Sequence, residues 1–184
     1  MSLPRAQVIA LPTALLEALR AEVRAASWFA ALGEDLTEGD LVDARAYAGV
    51  SDVVRVASWP DAETFLKSSD ASLDLWDREE MLRRELLTEA EGLYPERVLW
   101  TALTELTTEA GDLVHGKAAT AAMRAGDAAA ASIHVAAGAA SQVVYQLAVA
   151  RLAGSEGTPF ESKFRLFAAG RWPLGVMGSS LLLF

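Results

Sequence analysis

The side chains here that could do chemistry are two histidines, a stretch of glutamates, scattered aspartates and a late Glu-Ser-Lys trio. His134 stands in an alanine-rich segment, where an imidazole in a bundle cavity would serve as base or ligand. A core-edge histidine bonded to a polar neighbour is the simpler reading. His115, followed by Gly116 and Lys117, is expected near a helix end, where a cation suits the helix dipole. Glu85 and Glu89 are one helical turn apart and share a face. Asp77, Arg78, Arg83 and Arg84 stand among them and Glu79-Glu80, so the spacing predicts a solvated, salt-bridged surface rather than a cation site.

The familiar catalytic constellations are missing. Gly154-Ser155-Glu156-Gly157 lacks both the lysine and the strand-to-helix setting of a phosphate loop. No His-Glu-x-x-His, paired Glu-x-x-His or Gly-x-Ser-x-Gly sequence occurs. With no cysteine, disulfides and thiolate metal sites are excluded, and two histidines are too few for a histidine-rich centre. No metal or cofactor is expected, although a carboxylate site stays open. The five tryptophans are spread along the chain. Trp28, Trp59, Trp76 and Trp100 read as core anchors, and Trp172 beside Arg171 as packing or a pocket wall.

A formal net charge of -9 and a pI near 4.7 argue against a basic nucleic-acid-binding surface and favour cationic small molecules at long range. The lack of cysteine and of a signal-like apolar stretch in residues 1–10 fits a cytoplasmic setting. Residues 128–150 carry no charged side chain and reach the membrane-spanning length of about 20 residues. They are mostly alanine, interrupted by Ser132, His134, Ser141, Gln142 and Tyr145, so a buried bundle helix is expected and no membrane association.

Helical spacing dominates the elements that would position these residues. Leu15, Leu16, Leu19, Val23 and Ala26 form one face after Pro12-Thr13, running to Phe29 and ending at Gly33. Asp35-Leu36-Thr37 caps a short helix closed by Gly49. The β-branched cluster in 50–57 suggests one extended strand, pairing with residues 7–10 or with a second copy. Ser58 and Pro60 open another helix, and Asp77 begins a charged one with Met81, Leu82, Leu86 and Leu87 inward. Gly92 and Pro95 mark an internal boundary, dividing 1–94 from 95–184 within one packed unit. A long helix follows from Glu96, then a turn at Arg124-Ala125-Gly126 with Asp127 as cap for the alanine-rich helix. A last helix runs from about Pro159 to Ala169, and the tail Leu181-Leu182-Leu183-Phe184 must dock on its own bundle or on a partner.

The run Leu73-Asp74-Leu75-Trp76-Asp77, a leucine-rich helix and Tyr94-Pro95-Glu96-Arg97 form the first part of a wider pattern. Arg124-Ala125-Gly126-Asp127, Gln142-Val143-Val144-Tyr145-Gln146-Leu147 and Phe160-Glu161-Ser162-Lys163 continue it. Over roughly residues 70–175 this resembles the helical domain that follows the catalytic domain in nucleotidyltransferases of the kanamycin nucleotidyltransferase type. The family's Gly-Ser turn and Asp-x-Asp magnesium pair do not occur in the first 70 residues, and Gly39-Asp40-Leu41-Val42-Asp43 has the wrong spacing.

The expectation is therefore a mainly α helical bundle with at most a short strand pair near the N-terminal half. Its role is read as a non-catalytic binding or interaction module resembling the substrate-binding half of a nucleotidyltransferase. Arg124, Glu161 and Lys163 are the candidate ligand-binding residues, with a small molecule or a partner chain as occupant. Two alternatives stay open: a degenerate nucleotidyltransferase with metal on Asp40, Asp43 and Asp52, or a structural homodimer formed through the apolar tail and the Ala/Gly-rich helix.

Overall fold

A computed structural model describes residues 10–68, 71–126 and 130–184. In chain order the elements are α1 (Thr13–Ala25), α2 (Glu38–Ala48), β1 (Asp52–Arg55), α3 (Trp59–Lys67), α4 (Asp74–Leu93), α5 (Glu96–Arg124), α6 (Ala130–Leu152), α7 (Pro159–Ala168), β2 (Pro173–Met177) and β3 (Ser180–Leu183). The fold is mainly α with one small sheet. The expected Asp127 cap lies outside the described residues.

Local signals set several boundaries. Thr37 and Asp40 cap α2 reciprocally: the Asp40 N–H donates to Thr37 Oγ1 at 3.1 Å, and the Thr37 N–H donates to Asp40 Oδ2 at 2.8 Å. Ser58 Oγ caps α3 by accepting from the Asp61 N–H. Helix α1 stops at Ala25 rather than continuing to Phe29, because the chain turns inward to bury Trp28 and Phe29. Phe29 takes a left-handed φ of 60° there.

Helices α5 and α6 are the central pair. Alanines at 110, 118, 121, 136, 137 and 140 are buried and let the two backbones approach closely. Helix α6 is long and apolar enough to cross a membrane, but 56% of its most apolar window is buried against neighbouring helices α1, α4, α5 and α7.

The strand expected in 50–57 is β1; residues 7–9, one of its expected partners, lie outside the described residues, and the partner found within the chain is one the spacing did not suggest. Strand β1 pairs in parallel with β3, Asp52 opposite Ser180 and Arg55 opposite Leu183, while β2 flanks β3 on the other side antiparallel. The C-terminal tail thus supplies two of the three strands. Leu181 and Leu183 face a small cluster with Ala44, Tyr47, Leu75, Leu166 and Val176, while Leu182 and Phe184 face the main core. After Ser180 this central strand is buried on both faces and is leucine at three successive positions, which is why its period of two is invisible in the sequence.

Helix α4 also differs from its expected face. It begins at Asp74, and its buried residues are Leu75, Glu79, Leu86 and Ala90, whereas Met81 is 60% exposed. Glu79 points inward, not into the solvated surface, because α7 brings Lys163 to meet it. Trp76 and Trp100 are exposed rather than core anchors, while Trp28 and Trp172 are buried.

Candidate functional site

The cleft with ligand-sized room and converging aromatic rings opens where α3, α5, α6 and the C-terminal strand meet. Trp172 stacks on Trp59, centroids 6.3 Å apart and planes 19° from parallel. Phe29 meets Trp172 edge-on at 5.9 Å, and Phe184 leans on Trp59 at 6.3 Å. Ala118, Ala121 and Ala122 of α5 and the following Ala125, with Ser132 and Ala136 of α6, wall the inner recess. The recess holds about 20 Å³, room for about one water molecule. It continues into an outer cleft of about 420 Å³ rimmed by Glu34, Ser58, Pro60 and Arg124. That volume is within the usual range for small-molecule sites.

Local backbone holds this arrangement. Trp172 and Phe184 exchange backbone hydrogen bonds, with the Trp172 N–H on the Phe184 carbonyl at 2.6 Å and the reverse at 3.0 Å. Gly33 adopts a φ of +74°, and a Cβ there would sit 2.6 Å from the Ala57 carbonyl oxygen and 3.4 Å from the Phe184 ring. The rim segment 31–35 is clamped by Arg171. Its Nη1 donates to the carbonyls of Ala31 at 2.5 Å and Glu34 at 3.0 Å, and its Nη2 donates to that of Asp35 at 2.7 Å. Arg171 also pairs with buried Asp40 at 3.0 Å. A guanidinium suits this position because its fork can satisfy several acceptors at once.

The three residues expected to bind a ligand stand in three different places. Arg124 is exposed at the mouth of the aromatic cleft and has no carboxylate partner among the described residues. Glu161 lines another cleft, of about 510 Å³, with Leu15, Arg151 and the 154–157 loop. Arg151 there already forks onto Glu22 at 2.7 and 2.8 Å. Lys163 is buried: its Nζ donates to Glu79 Oε1 at 2.5 Å and to Gln146 Oε1 at 3.2 Å, and lies 5.4 Å from the centre of the Tyr47 ring. Burial pulls the Lys163 pKa down against the opposing pull of Glu79. Burial, and then the Glu79 carboxylate, push the Tyr47 hydroxyl well above its usual 10. No local pattern predicts this four-helix polar cluster, since Glu79 and Lys163 are 84 residues apart.

The carboxylates of the degenerate-enzyme alternative are also engaged in the fold. Asp40 caps α2 and holds Arg171, Asp43 accepts from Arg165 at 2.7 Å, and Asp52 accepts from the Ser180 hydroxyl at 2.5 Å. Among the described residues, no group of three or more His, Asp or Glu is gathered as a metal-ion site would require. His115 lies in the interior of α5, not near a helix end, because that helix runs unbroken from Glu96 to Arg124. No family model matches the chain, and no curated protein or solved structure matches it either.

Proposed function

We propose that this chain is a non-catalytic helical binding module seated on the aromatic cleft, and that its ligand is a small molecule with a flat apolar body and an anionic group. The observation that carries the reading is the outer cleft's pair of aromatic walls, Trp59 (backed by buried Trp172) and Phe184, beside Arg124, which has no carboxylate partner among the described residues. Aromatic faces stack a flat apolar ring by dispersion and burial, and a guanidinium forks onto a carboxylate, phosphate or sulfonate. The chain's charge of -9 opposes anions at long range, so the anchoring comes from the local Arg124 contact. Kinship with the substrate-binding half of nucleotidyltransferases remains part of this proposal, and a seat between helices with no metal clamp is compatible with it. The apolar tail, one reason to consider a homodimer, is buried in the chain's own sheet.

The test is a fluorescence titration with 1-anilinonaphthalene-8-sulfonate, an anion built on a flat naphthalene. Saturable binding at one site is expected, weakened at least about fivefold by Trp59→Ala and by Arg124→Ala and unchanged by Glu161→Gln. Equal affinity in the wild type and both cleft variants would place the probe elsewhere and defeat the proposal.

A further inference from the structure

The two histidines, 19 positions apart in sequence, face one another across the α5–α6 seam with ring centroids 5.3 Å apart and planes 44° from parallel. Both are exposed, so neither serves the core. We propose that His115 and His134 form an open two-histidine seat for a divalent transition-metal ion of the copper, nickel and zinc class.

The spacing carries the inference. A ring nitrogen about 2.0–2.1 Å from a metal puts the ring centroid about 3.2 Å from it, so two imidazoles sharing one ion at a tetrahedral angle stand about 5.2 Å apart. The observed separation matches the tetrahedral figure within about 0.1 Å and lies between the about 4.5 Å of cis and the about 6.4 Å of trans imidazoles on a square-planar ion. Each histidine sits within a continuous helix, so the backbone presents both rings on a stiff frame. No carboxylate joins the pair to make a third ligand among the described residues, so water completes the coordination sphere. Neutral imidazole selects these ions over magnesium and calcium, and copper is held most tightly. The acidic chain raises the local concentration of any cation.

Titration of the untagged full chain with Cu²⁺ and with Ni²⁺, followed by calorimetry at neutral pH, tests the seat. One ion per chain is expected. His115→Ala and His134→Ala should each weaken binding at least tenfold while leaving the helical circular dichroism unchanged. The Cu²⁺ electron paramagnetic spectrum should carry coupling to two nitrogens, lost to one or none in either variant. Affinity untouched by both substitutions would mean that surface carboxylates hold the ion, and absence of binding up to millimolar metal would mean that the pair is not a site. Either result overturns the proposal.

Discussion

Replacing Lys163 by methionine tests the buried polar cluster most directly. Lys163 and Glu79 are 7% and 8% exposed, and their contact at 2.5 Å joins α7 to α4. Methionine keeps the length of the side chain but leaves the Glu79 carboxylate in the interior without its cation. Breaking a buried pair on one side costs about 3–5 kcal/mol. With a urea dependence of about 2–3 kcal/mol per molar, the unfolding midpoint should fall by about 1–2.5 M. Removing both charges in Glu79→Leu/Lys163→Met leaves no orphaned charge, so it should recover most of the loss, since apolar replacement of whole buried pairs is often neutral or better. Urea unfolding followed by tryptophan fluorescence and circular dichroism measures all three variants. A midpoint change below about 0.4 M for Lys163→Met would refute the reasoning, because it would mean that water already reaches Glu79.

Acid should weaken the protein through Glu80. Bonding to Arg83 first, and then to Arg84, holds its carboxyl at about 2 instead of the usual 4.5. The stabilisation it provides is therefore complete above about pH 4.5 and lost as pH falls towards 2, and Glu80→Gln should flatten that part of a stability–pH curve. Gly33→Ala should cost at least about 2 kcal/mol by denaturation, from left-handed strain and the contact with the Ala57 carbonyl. The parallel Gly116→Ala, in α5 with open space around it, should instead stabilise by about 0.5–1 kcal/mol. Magnesium with ATP should shift the thermal midpoint by less than about 1 °C, and stabilisation by several degrees would revive the enzyme alternative.

Local chemistry made much of the secondary structure legible in advance. The Thr37 cap, the Ser58-Trp59-Pro60 helix start and the long apolar stripe of α5 all depend on neighbours within a turn or two, so spacing alone reveals them. The resemblance singles out Arg124, at the turn after the long helix, and the structure places it at the end of α5 at the cleft mouth. The neighbour Arg171 points to Trp172 as packing or a pocket wall, whereas nothing local distinguishes its stacking partner Trp59 from a core anchor.

What the sequence determined by itself was the helical character, the acidity, the lack of thiols and the positions of most helix ends. Tertiary structure alone decided that Leu181 to Leu183 would be a central strand, that Glu79 would turn inward to Lys163, and that Trp59, Trp172 and Phe184 would share a cleft. The reason is range. Helix spacing and caps act over a few residues, whereas a strand's partner and a buried charge's counterion are chosen by packing between segments more than 80 residues apart. No local pattern records that choice.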